Sequence, residues 1–87
     1  MKLVIAILKD DDTEAVVQAL TAQDFRATRV ASTGGFFHKG STTLLIGVDE
    51  KRVDDAIQVI GKHATATEED GKRATVFVVP VNRFEQL

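Results

Sequence analysis

The chain has 87 residues, 13 acidic against 11 basic, a net charge of −2 and no cysteine. That length suits a single domain, 1–87, whose modest core would gain from self-association. The missing cysteines exclude a disulfide framework and a thiolate metal site. Scattered basic residues in an acidic chain argue against DNA or RNA, where phosphate neutralisation dominates affinity.

Leu3–Leu8 is apolar on both faces, as expected of a central strand. The run is far short of the roughly 20 residues that span a membrane. It also lacks a small-residue cleavage site, so a cytoplasmic protein with no membrane partner is expected. Asp10, Asp11 and Asp12 follow, and neighbouring residues on an extended chain point to different sides, which suits a metal poorly. Their expected role is to cap the next helix and complement its positive end. That helix is read over Thr13–Gln23, with Val16, Ala19, Leu20 and Gln23 on one stripe and Val17 beside it.

Phe25–Ser32 reads as a second strand with polar residues on both faces: Arg26, Thr28, Val30 and Ser32 on one, Phe25, Ala27, Arg29 and Ala31 on the other. Such a strand suggests a ligand or a subunit against its far side. A loop with Gly34, Gly35 and Gly40 then carries Phe36 and Phe37, where a polar tip would be cheaper. Two readings stay open here. Glycines that admit close backbone approach, flat rings, and the donors Arg26, Thr28, Thr33, Ser41 and Thr43 fit a nucleotide-sized pocket on a hairpin. A glycine-rich turn whose phenylalanines fill an oligomer interface fits the composition better.

Thr42–Val48 reads as the third strand, and Gly47 inside it calls for a close approach or a bulge. Asp49–Ile60 is the clearest helix, with Asp49 as its cap, Val53, Ala56, Ile57 and Ile60 on one stripe, and Gly61 at its end. A polar connection containing Glu68, Glu69 and Asp70 leads to a last strand, Ala74–Val81, which Pro80 stops. The tail carries Phe84 and could pack. The order βαββαβ, with short connections and right-handed crossovers, predicts an α+β ferredoxin-like sandwich. Its four-stranded antiparallel sheet would carry both helices on one face and expose the other to self-association.

Function in such a fold must come from the site. The third strand lacks the aromatics of an RNA-recognition module. A heavy-metal carrier needs cysteines, and an acylphosphatase-like enzyme needs an Arg-bearing loop where this chain has three Asp. His38 and His63 lack a carboxylate or nucleophile at a meaningful spacing, so a binding module without catalytic residues, metal or cofactor is expected rather than an enzyme.

Phe25-Arg26-Ala27-Thr28, Thr33-Gly34-Gly35-Phe36, Gly40-Ser41-Thr42-Thr43 and Ala74-Thr75-Val76-Phe77-Val78-Val79-Pro80-Val81 together resemble the PII-like cyclic di-AMP receptors, the PstA/DarA family. The similarity runs from Met1 to about Ile60 and resumes at Ala74. It implies a bacterial cytoplasmic signal-transduction protein, a homotrimer that binds cyclic di-AMP in clefts between subunits and acts on a downstream protein. The resemblance places Arg26, Ala27 and Thr28 against the phosphate–ribose part of the ligand. It makes Gly35, Phe36 and Phe37 the loop wall, with Phe36 against an adenine. Ser41, Gly47, Phe77 and Gln86 complete the cleft. The chain departs from the family at Asp24 and Ser41, where its members carry Asn, and in a much shorter Lys62–Arg73 connection. The alternatives are another adenine nucleotide, ATP or AMP, or a small-metabolite or protein-interaction module with no nucleotide.

Overall fold

The computed structural model describes residues 1–30, 40–66 and 71–87. Its elements are β1 (Lys2–Lys9), α1 (Asp10–Ala22), β2 (Ala27–Val30), β3 (Ser41–Val48), α2 (Val53–His63) and β4 (Thr75–Pro80), with a 3-10 turn at Glu50–Arg52 ahead of α2. The sheet order is β2-β3-β1-β4 and every pairing is antiparallel. This is the ferredoxin-like βαββαβ arrangement expected from the element order.

Strand alternation divides the sheet cleanly. Val4, Ala6 and Leu8 of β1 and Leu44, Ile46 and Val48 of β3 are buried in one cluster with Val16 and Leu20 of α1 and Ala56, Val59 and Ile60 of α2. Each of the valines, leucines and isoleucines contributes about 1.5–3 kcal/mol when fully buried, so this helix-covered face carries the fold. The other face presents Leu3, Ile5, Ile7, Leu45, Phe77, Val79 and Val30, none of them fully buried. Phe77 is 51% exposed. A contiguous apolar face of this kind in a small domain marks an interaction surface.

Several elements differ from the sequence expectation. α1 starts at Asp10 rather than Thr13; Lys9 stands at its N-cap with no side-chain capping bond, so the Asp triplet fills the first turn instead of preceding it. Gln23 lies outside the buried stripe, beyond the helix end. That end is a Schellman motif: the Asp24 N–H donates to Thr21 O (3.0 Å), the Phe25 N–H donates to Leu20 O (2.9 Å), and Asp24 takes the left-handed φ of 64°. Phe25 is therefore a buried plug packing with Leu20 rather than the first residue of a strand, and β2 begins at Ala27; the expected strand end at Ser32 lies outside the described residues. Asp49 makes no side-chain cap, and α2 runs through Gly61 to His63 because its backbone there stays helical. The helix also turns Val59 inward and leaves Ile57 36% exposed. The register Leu3↔Gly47 and Lys2↔Val48 is continuous, so Gly47 sits in a regular ladder without a bulge. The tail does not pack: Phe84 is 61% exposed.

Candidate functional site

The residues expected at the site fall into two groups on opposite edges of the sheet. On the β2–β3 side, Ala27 pairs with Ile46 and Thr28 with Leu45. That register, carried back one residue, sets exposed Arg26 opposite exposed Gly47. Thr28 is exposed on the open face, whereas Ala27 turns half-buried toward the helices. Ser41 opens β3 at its other end, opposite Lys9. On the far side, Phe77 pairs with Ile5, and Gln86 lies in the exposed tail after β4. Thr28, Leu45, Ile5 and Phe77 form one row across the sheet. Three inter-strand spacings separate its ends, roughly 14 Å. One copy of the chain thus does not bring Phe77 to Arg26 and Thr28. Gly35, Phe36 and Phe37 lie outside the described residues, as do His38 and the Glu68–Asp70 run.

Arg26 is exposed and has no hydrogen-bond or ion-pair partner among the described residues, which leaves its five donors available to an anion. Arg29, on the opposite face of the same strand, is occupied: it donates to Glu14 of α1, and this guanidinium holds the Glu14 carboxyl below its ordinary value. Thr43, on the open face, is 5% exposed and its hydroxyl has no partner among the described residues. A buried unmatched hydroxyl is costly, so Thr43 is a donor in want of an acceptor.

A cavity of about 270 Å³ adjoins the Arg26 end, lined by Met1, Asp24, Phe25, Gly47, Val48, Asp49 and Arg52. It lies just under the roughly 300–1,000 Å³ usual for drug-sized ligands, so it fits one ring system rather than a whole dinucleotide. Of this lining only Gly47 was among the expected ligand-binding residues. Arg52 was missed because its role is tertiary: the guanidinium stacks 4.0 Å above the Phe25 ring and donates to Gln23 O at 2.9 Å. A Cβ on Gly47 would come within 2.9 Å of the flexible Met1 tip, an approach a side chain can relieve.

Residues 1–70 match the family model described as "Cyclic-di-AMP receptor". The chain belongs to that family. A crystal structure titled as a functionally unknown protein from Pediococcus pentosaceus ATCC 25745 is 38% identical with a TM-score of 0.82; the match covers 99% of this chain and 96% of that one. Near-complete coverage both ways means that the two chains share one fold over nearly their whole length.

Asp24 lines this cavity with a left-handed φ, which favours glycine; among other residues Asn and Asp tolerate that region best. Asn in place of Asp24 would therefore keep the backbone and remove a charge beside the cavity. Asp24→Asn is expected to leave the melting temperature nearly unchanged and to tighten binding of a cyclic dinucleotide dianion, read by calorimetric titration. Weaker binding would show that the carboxylate accepts a donor from the ligand.

Proposed function

We propose that this protein is a PII-like signal-transduction receptor that binds cyclic di-AMP in clefts between the subunits of a homotrimer and acts on a downstream protein in the cytoplasm. The observation that carries this reading is the division of the site residues between the two edges of one sheet. If Arg26, Ala27, Thr28, Ser41 and Gly47 on the β2–β3 side are to meet Phe77 and Gln86 on the β4 side, the two sets come from different copies. A contact that joins one edge to the opposite edge is head-to-tail, and closed head-to-tail contacts make rings. The open apolar face supplies the area that such a ring would bury.

In this reading Arg26 meets a phosphate, Thr28 a ribose or phosphate oxygen, and Phe36 stacks on an adenine. Gly35 and Phe37 complete the loop wall, and Ser41 supplies a hydroxyl where the family has an amide. No step in this function needs catalysis or a bound cofactor. The deciding experiment is calorimetric titration with cyclic di-AMP, with ATP, AMP and cyclic di-GMP as comparators. Saturable heat near one ligand per subunit, selective for cyclic di-AMP, is the expected result. Hydrogen bonds to charged groups contribute about 1.5–3 kcal/mol, so Arg26→Ala should weaken binding by roughly 10–150-fold. Phe36→Ala should cost roughly 1–3 kcal/mol if the ring stacks. Heat with ATP or AMP alone would make this a receptor for an adenine mononucleotide. Silence with every nucleotide would overturn the reading.

A further inference from the structure

Two of the three aspartates after β1, Asp10 and Asp12, do more than charge a helix end. Asp12 is 7% exposed, and its carboxylate accepts the Thr65 N–H at 2.9 Å and the Thr65 hydroxyl at 3.0 and 3.1 Å. The Lys9 ammonium donates to that same hydroxyl at 3.0 Å and to Ala66 O at 2.8 Å. Thr65 Oγ1 thus accepts from a cation and donates to an anion, which uses both capacities of a hydroxyl. Together these bonds latch the exit of α2 onto the start of α1. Opening the latch would take these three bonds from a nearly buried carboxylate, which costs free energy.

On its other side the same turn holds the strand that returns from the glycine-rich loop. The Asp10 N–H donates to Gly40 O at 2.8 Å, and the Thr42 hydroxyl donates to the Asp10 carboxylate. Gly40 takes a φ of 90°, which fixes where this return begins. Asp10 and Asp12 are two residues apart in one helical turn, which the Thr13 hydroxyl braces by donating to Lys9 O at 3.2 Å. A shift of Asp10 is therefore passed to Asp12 by rigid backbone.

We propose that the Lys9–Asp12 turn is a conformational coupler: what is done to the loop return at Gly40–Thr42 biases the latch at Thr65–Ala66, and the reverse. The coupler gives a receptor a route from its ligand loop to the connection after α2, a use that rests on the function proposed above. The coupling itself is a property of the free protein. It must also be reciprocal, since each side changes the other by the same factor.

Amide hydrogen exchange read residue by residue tests it. In the ligand-free protein, Thr42→Val removes a hydroxyl that does not touch Thr65. It is expected to speed exchange at the Thr65 N–H by about 5–150-fold, the usual size of a coupling. Thr65→Val, which keeps that N–H but loses the hydroxyl, should likewise speed the Asp10 N–H. Val4 and Ile46 in the sheet centre should exchange as in the unaltered protein, which separates coupling from general loosening. Unchanged exchange at Thr65 in Thr42→Val, or equal acceleration at Val4 and Ile46, overturns the coupler. Cyclic di-AMP should slow Thr65 exchange in the unaltered protein and not in Asp12→Asn. Binding that leaves Thr65 unaffected overturns its use in signalling. Absence of binding defeats the receptor reading instead, and the free-protein arm then decides the coupler alone.

Discussion

Leu45→Lys is expected to turn the assembly into folded monomers that bind no cyclic di-AMP. Leu45 is half-buried on the open face, in the row with Thr28, Ile5 and Phe77. In an isolated chain a lysine there extends to water with its ammonium solvated, and the helix-covered core is untouched. In a packed subunit contact the same ammonium would be desolvated without a partner, which costs several kcal/mol per ion and is repeated in every subunit. The measurement is light scattering for mass, circular dichroism for fold, and calorimetric titration for ligand. A monomeric mass with native dichroism and no heat of binding is the expected combination. A Leu45→Lys protein that stays assembled and binds normally would place the subunit contact elsewhere and remove the argument for clefts between copies. Arg26→Ala is the complementary case, since it should lose affinity while keeping the oligomeric mass.

The order of elements was legible because each carries its own period: apolar runs for β1 and β4, a stripe every three to four residues for α1 and α2, alternation for β3. The element boundaries were less so, for reasons that are tertiary. Nothing local distinguishes Phe25 as a plug from Phe25 as a strand residue; the Schellman bonds to Leu20 and Thr21 and the Arg52 guanidinium above the ring decide it. Gly61 reads as a stop, yet α2 continues to His63, and the following Thr65 is caught by Asp12, distant in sequence. For the same reason the aspartate triplet read only as a helix-capping device: its partners Thr42 and Thr65 lie on other elements. Arg26, Thr28 and Ser41 were read as donors and Gly47 as a point of close approach, and all four, with Phe77, were joined into one cleft through resemblance to a family. That resemblance could not show that one chain sets them on opposite edges of its sheet.

Leu44→Ala, one residue from the first substitution, should have the opposite character. Leu44 is 0% exposed and faces the helices, paired with Ala6 on β1. Truncating it removes buried methyl groups and leaves a void between sheet and helices that rigid strands cannot close. Such changes cost about 2–5 kcal/mol. At roughly 0.05–0.15 kcal/mol per residue, a chain of this size has little stability to lose. Urea unfolding of the monomeric Leu45→Lys background, where assembly does not add to the reading, should show the midpoint falling with little change in slope. A midpoint that barely moves would mean that the helix-covered face is not what holds the chain together. Successive side chains of a strand point to opposite faces, so adjacent leucines separate two functions. Leu44 packs in the helix-covered core, and Leu45 lies on the open face where the proposed subunit contact would form.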